Sequence, residues 1–178
     1  LLGLMESQAS RFAARLEASG SPVLLSDQVR SRWDRAQIAR GSQALARADE
    51  LASARGSYAI QAAIAQCHAE ARSFEATDWV LIVSLYEDLC RLTPNPVAEL
   101  NRAVAVSMAS GPEAGLEILE QVSDQGQLRN SHLVPSVRGE LLARLGRTTE
   151  ARAELLRAAT LTENVLQSDV LRAKAAAL

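Results

Sequence analysis

The side chains best suited to catalysis or metal binding are few in this chain. It contains two histidines, His68 and His132, and two cysteines, Cys67 and Cys90. Nucleophilic catalysis pairs a Ser or Cys with a base, and a structural zinc site needs four ligands. The adjacent residues Cys67 and His68 would point about 100° apart on a helix, and no second Cys/His cluster completes the ligands. The sequence therefore predicts no catalytic residue, no metal site and no cofactor.

The most unusual local sequence is the stretch from Asp27 to Asp34, which we call the 27–34 block. Its candidate partner-binding residues are Asp27, Gln28, Arg30, Trp33 and Asp34. Because Trp and Arg are frequent energetic anchors of protein interfaces, this block is a candidate surface for another domain. The alternative is that Trp33 anchors the core and the charged residues hold it in place. Ser31 also fits the N-cap of a capping box that Asp34 completes.

The composition indicates an all-α protein. Hydrophobic residues make up 48% of the chain and aromatic residues only 3%, with Ala and Leu dominant. Such residues favour helices, and few of the residues that favour strands are present. The net charge of −2 comes from interleaved acidic and basic residues, which argues against direct contact with nucleic acid. No apolar run is long enough to span a membrane, and the two cysteines fit a reduced, cytoplasmic protein.

Helical periodicity and capping residues predict about eight or nine helices. The first should run from Leu1 to about Ala18 and bury a face that contains Leu1, Met5, Ala9, Phe12 and Leu16. A second should run from Arg32 to about Ala54, interrupted or bent near Gly41. Later starts are predicted at a Thr77 cap, at an Asn95 cap followed by Pro96, and near Pro112, His132, Thr149 and Glu163.

A weak internal repeat runs through these helices. The best match to the tetratricopeptide (TPR) pattern comprises Gly139, Leu142, Gly146, Ala151, Leu155 and Ala158. Such repeats bury their apolar faces only by stacking, so the sequence predicts a TPR-like superhelix of antiparallel helix pairs. An ordinary helical bundle is the alternative. Polar residues of the first helix in each pair are candidates to line a ligand groove, or else are solvated surface: Asn101, Arg102, Glu140 and Arg144.

Three stretches resemble one protein family. The 27–34 block is similar to the D-Q-D-R-x-x-W-D signature of a group of bacterial extracytoplasmic-function (ECF) sigma factors, with Val29 where the signature has Asp. Residues 100–105 and 138–146 also resemble parts of the long TPR-like C-terminal extension of these proteins. The resemblance covers nearly the whole chain in the same order.

This resemblance implies a regulatory role. Residues 1–25 would be a helix and linker that follow sigma domains absent from this chain, and residues 26–178 would be the TPR-like domain. The extension would control transcription by contacting the sigma domains, the RNA polymerase core or a signalling partner, with a peptide or protein ligand in the groove. A free-standing TPR adaptor that binds a peptide or protein is the alternative.

Overall fold

The structure, a computed structural model, describes residues 1–17, 20 and 22–178. Within these residues the only extended pairing is an isolated bridge between Leu16 and Pro22. The helices are α1 (Leu2–Ala9), α2 (Arg35–Leu51), α3 (Ser57–Glu70), α4 (Trp79–Leu92), α5 (Pro96–Ser110), α6 (Pro112–Asp124), α7 (Leu133–Arg144), α8 (Thr148–Leu161) and α9 (Val165–Ala176). Two short 3₁₀ turns cover Phe12–Ala14 and Arg30–Arg32. The prediction of an all-α protein built from adjacent helix pairs is confirmed.

The contacts divide the chain into two compact units. The first unit is Leu1–Thr93 and contains α1 to α4, and the second is Pro94–Leu178 and contains α5 to α9. In the first unit α1 packs against both α2 and α3, so it belongs to the same body as they do. The division therefore falls at a different place from the expected boundary after residue 25.

The second unit repeats one helix pair. Ala103, Gly115, Leu119 and Val122 of the α5–α6 pair share one offset along the chain with Gly139, Ala151, Leu155 and Ala158 of the α7–α8 pair. All eight of these residues are buried. The pairs approach closely at the glycines: a Cβ on Gly115 would lie 2.9 Å from the Ala103 carbonyl oxygen, and one on Gly139 would lie 2.7 Å from Leu155 Cγ. Small residues thus let the two helices of each pair touch.

Side-chain caps mark the starts of α2, α4 and α5. In α2 and α4 the capping residue lies three residues and one residue, respectively, after the predicted one. Asn95 accepts a hydrogen bond from the Val97 amide at 2.8 Å and Pro96 begins α5, as predicted. The N-cap of α2 is Asp34 rather than Ser31, since Arg30–Arg32 form a 3₁₀ turn and Trp33 is extended. The N-cap of α4 is Asp78 rather than Thr77, because the Asp78 carboxylate accepts from the Leu81 amide.

The first helix is shorter than predicted and buries the opposite face. It ends at Ala9, so the predicted continuation to Ala18 is wrong, although Ala18 itself lies outside the described residues. Its buried residues are Gly3 and Ser7, whereas Leu2 and Met5 are exposed. Helix α2 continues through Gly41 without interruption. Gly41 lies where α1 crosses, and a Cβ there would be 3.2 Å from the Gly3 carbonyl oxygen. Close backbone contact therefore selects the small residues.

Across the described ranges, none of the helices combines the length and the apolar character needed to cross a lipid bilayer.

Candidate protein-interaction site

The 27–34 block joins the ends of three helices in the first unit. The Asp34 carboxylate accepts hydrogen bonds from the Ala36 and Gln37 amides at 2.9 and 3.0 Å, which caps α2. The Asp34 amide donates to the Ser10 carbonyl oxygen at 2.9 Å, just after α1. Arg30 donates to the His68 carbonyl oxygen, near the end of α3, at 2.7 Å. The block thus fixes where these helices meet.

Trp33 lies inside the first unit. Its side chain is 3% exposed and packs with Ala14, Ile38 and Ala69. The Arg30 guanidinium carbon lies 4.2 Å from the centre of the indole ring, and the Arg11 guanidinium carbon lies 5.6 Å from it. Cation–π contacts of this kind are strongest when they are shielded from water. The structure therefore favours the core-anchor alternative for Trp33, and its side chain is not presented to a partner.

Buried charge marks the surroundings of Trp33. Burial lowers the pKa of Arg11 to about 10, helped by the nearby cations Arg15 and Arg30. Burial also lowers the pKa of Arg30, and Glu75 partly offsets this. One terminal nitrogen of Arg30 is buried without a hydrogen-bond partner, as is Trp33 Nε1. The junction therefore concentrates positive charge and unpaired N–H donors.

His68 is a member of this junction that the sequence did not reveal. Its ring lies 5.3 Å from the Trp79 ring in an edge-to-face arrangement, and Phe74 packs edge-on against Trp79 at 5.0 Å. Burial lowers the pKa of His68 to about 4, and the positive charges of Arg11 and Arg30 lower it further in the same direction. Its imidazole is therefore neutral at physiological pH. Only the three-dimensional contact with Arg30 identifies it.

The remaining residues of the block differ in exposure. Gln28 is buried and its amide donates to the Val23 carbonyl oxygen at 3.2 Å, while its own Oε1 has no partner. Asp27 is exposed, as is Val29. Of the five predicted block residues, Gln28, Arg30 and Trp33 face inward, and Asp27 and Asp34 lie at the surface.

An exposed apolar face on α1 and the following turn is the strongest surface feature of the first unit. Its members are more than half exposed: Leu1, Met5, Phe12 and Leu16. The backbone stays in the helical region at Ser10, Arg11 and Arg15, which lie between or beside these residues. We call this set the α1 apolar face. The sequence identified these residues but predicted that they would be buried.

Two arginines border the α1 apolar face. The Arg15 guanidinium carbon lies 5.2 Å from the centre of the Phe12 ring, and Arg11 contacts Trp33 behind it. Both arginines donate to the side-chain oxygen of Gln8. In the described part of the chain, neither has a carboxylate within salt-bridge distance. The surface thus combines apolar side chains with positively charged ones.

The predicted groove residues lie in the second unit and do not form one set. Arg144 donates to the Ser107 hydroxyl and carbonyl oxygens, each at 3.0 Å, and so ties the end of α7 to α5. Arg102 forms an ion pair with Glu99 at 2.8 Å on the same helix. Glu140 pairs with Lys174 of α9. Asn101 is exposed on α5. Arg144 and Glu140 therefore join helices that belong to different pairs, and Arg102 makes its contact within one helix.

Burial limits the reactivity of the Cys67 thiol. Burial raises the pKa of the Cys67 thiol to about 11, which keeps the nucleophilic thiolate scarce at neutral pH. Among the described residues, no three His, Cys, Asp or Glu side chains lie together in a way that suits a metal ion.

Comparison with known proteins finds a family model that matches one part of the chain. Residues 1–49 match the model of a family of unknown function, DUF6596. An uncharacterized protein of Rhizobium meliloti (strain 1021) is 44% identical over 174 residues, which cover 97% of this chain and 40% of that protein. The chain thus spans about two fifths of the length of this relative. No solved structure matches the chain. The family match includes the α1 apolar face, the 27–34 block and most of α2.

Proposed function

We propose that this chain is a regulatory, protein-binding extension of an ECF sigma factor. It acts in the cytoplasm and controls transcription initiation by contacting the sigma domains, the RNA polymerase core or a signalling partner. The observation that carries the proposal is the α1 apolar face, because four large apolar side chains within one short segment are exposed, and exposed apolar surface is typical of a surface that another protein covers. The resemblance of the 27–34 block to the sigma-factor signature supports the choice of partner.

The chemistry of this surface defines what binds it. Leu1, Met5, Phe12 and Leu16 favour an apolar partner surface, and Arg11 and Arg15 favour carboxylates beside it. Aromatic, Met and Arg side chains are enriched at protein interfaces for these reasons. The partner surface is therefore apolar with an acidic margin.

The 27–34 block acts behind this surface. Arg30 and Trp33 fix the end of α1 relative to α2 and α3. Arg11 contacts Trp33 and is the neighbour of Phe12 in the chain, so it connects this junction to the exposed face. The role of Trp33 and Asp34 in regulation is thus to position the surface, while Phe12 and Met5 make the contact. This division corrects the simpler hypothesis that Trp33 itself docks.

Transcription from the cognate promoter by the gene product that carries this chain tests the proposal. The variant Met5→Ser/Phe12→Ser removes two exposed apolar side chains and leaves the core intact, because the two residues are 58% and 65% exposed. We expect transcription under regulated conditions to change several-fold, towards the level that is seen without regulation.

A matched control is available in the second unit. Val165 and Leu166 are 72% and 62% exposed, so Val165→Ser/Leu166→Ser removes a similar exposed apolar area at another place. This control should leave transcription unchanged. Equal transcription by the wild-type protein and the Met5→Ser/Phe12→Ser variant, at equal protein levels, would reject the proposal.

A free-standing TPR adaptor is the second candidate function. The repeated helix pairs of the second unit favour it, since stacked repeats commonly present a binding surface. The adaptor predicts peptide binding by the chain with no effect of either variant on transcription, so the same experiment separates the two candidates.

A further inference from the structure

A cavity of about 350 Å³ lies within the second unit. It is bordered by the end of α6, by the loop that follows, and by one side each of α7 and α8. Three arginines line it together with an apolar wall: Arg129, Arg138 and Arg157, with Leu128, Val134 and Pro135. Among the described residues that line the cavity there is no carboxylate. The cavity therefore combines cationic donors with an apolar surface.

Arg138 is held in a fixed position in this cavity. One terminal nitrogen lies 3.0 Å from the Glu120 carboxylate, and the other lies 3.9 Å from the Glu154 carboxylate. Both terminal nitrogens of the guanidinium group are thus next to a carboxylate of the protein. Its Nε–H is buried and has no hydrogen-bond partner. An unpaired buried donor costs free energy, so the hydrogen-bonding capacity of this arginine is not fully used by the protein.

The charges around the cavity leave an excess of positive charge. Glu154 is shared, since it also lies 3.7 Å from Arg157. In the part of the chain that the structure describes, Arg129 has no carboxylate within salt-bridge distance. The three arginines thus face two glutamates, Glu120 and Glu154. The described ion pairs therefore offset two of the three positive charges.

We propose that this cavity binds a small organic oxyanion, with a carboxylate or phosphate head on a short apolar body. Guanidinium groups bind both kinds of head through paired N–H donors. The body lies against Leu128, Val134 and Pro135. The volume falls at the lower end of the range for small-molecule sites, which is roughly 300–1,000 Å³. The inference concerns the second unit alone and does not depend on the proposed role of the first.

Four probes separate the head from the body. Inorganic phosphate supplies the head alone, 1-hexanol supplies the body alone, and hexanoate and hexyl phosphate supply both. We expect the last two to bind more tightly than the first two by about tenfold or more, since each fully buried methylene contributes about fourfold in affinity. Titration of the full chain is followed by NMR through the Nε–H signal of Arg138, which should move when a ligand binds beside its guanidinium group. Binding of hexanoate alone, of hexyl phosphate alone or of both supports the proposal and identifies the head group.

Substitution of the two exposed arginines tests the residues. Arg129→Ala and Arg157→Ala should each weaken binding about tenfold, because a hydrogen bond to a charged group contributes roughly 1.5–3 kcal/mol. Arg147→Ala is the matched control, since Arg147 is an exposed arginine of the same unit that pairs with Glu150 outside this cavity. It should leave affinity unchanged.

Two results would overturn the proposal. One is the absence of a saturable shift of the Arg138 signal with any of the four probes at millimolar concentration. The other is an equal loss of affinity in Arg147→Ala and Arg157→Ala, which would indicate attraction to net charge only. Because Arg129 and Arg157 are exposed, their variants should fold, and far-UV circular dichroism checks this.

Discussion

The two units of the chain reach stability by different means. Every Trp, Tyr and Phe of the chain lies in the first unit, Leu1–Thr93. Among the described residues, five of the six buried polar side chains also lie in the first unit: Ser7, Ser10, Gln28, Gln66 and Thr77. The sixth is Ser107 of the second unit. The second unit has an aliphatic core of Leu, Val and Ala. One unit is thus a particular assembly of polar and aromatic contacts, and the other is a repeated helix pair.

This contrast suggests a division of labour. A core that depends on individual polar contacts has few alternative arrangements, so the first unit can hold an exposed face in a defined position. A repeated aliphatic pair is more tolerant, because each helix needs only small residues at the crossing and apolar residues beside it. The contrast also gives each unit its own probe, since tryptophan fluorescence reports on the first unit only.

The largest expected effect is that of Trp33→Ala. It removes a nearly fully buried indole and both of its cation–π contacts, and should destabilise the first unit by about 3–5 kcal/mol. Urea unfolding followed by Trp79 fluorescence measures the shift. A loss below about 1 kcal/mol would show that Trp33 is not the anchor of this unit.

The second effect is a dependence on pH that His68 confers. The pKa of His68 is 6.5 in an unfolded chain and about 4 in the native protein, chiefly because of burial. Between these values the unfolded state binds more protons, so the free energy of unfolding falls as pH falls, by about 1.4 kcal/mol for each pH unit. This stability is complete above pH 6.5 and is lost towards pH 4.

His68→Gln removes this titration and is compared with the wild-type protein by urea unfolding at several pH values. The variant keeps the backbone carbonyl that Arg30 binds. The stability difference between the two proteins should therefore change steadily from pH 6.5 to 4. A constant difference over that range would show that His68 is not buried in its neutral form.

The third effect is measured with a pair of variants, each of which adds one methyl group at a helix crossing in one of the two units. In Gly139→Ala the new Cβ would lie 2.7 Å from Leu155 Cγ, and in Gly41→Ala it would lie 3.2 Å from the Gly3 carbonyl oxygen. Overpacking costs about 1–3 kcal/mol, which exceeds the gain of up to about 1 kcal/mol from replacing helical glycine. Gly41→Ala should shift the fluorescence transition, and Gly139→Ala should shift only the transition seen by circular dichroism. Stabilisation by either change would contradict the close packing.

The smallest effect compares the two N-caps. Asp34→Ala and Asn95→Ala each remove a side-chain oxygen that accepts from the first turn of a helix, α2 or α5. Each should cost about 1 kcal/mol in free energy of unfolding. Equilibrium unfolding by fluorescence for Asp34 and by circular dichroism for Asn95 provides the values. No loss in one variant would show that its helix is held by packing alone.

The second unit could be predicted from sequence in some detail. Asn95 and Pro96 specify the start of α5, and Gly139, Ala151 and Leu155 occupy the crossing that the repeat pattern predicts. These features depend on residues close together in sequence, where capping and periodicity apply directly. The polar groove was less predictable, because the hydrogen bonds of Arg144 to Ser107 join different helices.

The first unit was harder to predict for a physical reason. Periodicity identifies large apolar residues as buried, but α1 packs through Gly3 and Ser7 because α2 passes close to its backbone at Gly41. The sequence singled out the 27–34 block by its composition. The contacts of Arg30 with His68 and of Arg11 with Trp33 join residues far apart in the chain, and no local pattern reveals them.

Hydrogen–deuterium exchange of the chain, alone and with the sigma domains and RNA polymerase, tests the central claim most directly. If the α1 apolar face is the docking surface, exchange should slow in residues 1–34 on binding and stay unchanged in residues 165–178. Protection confined to the second unit, or no protection at all, would contradict the account.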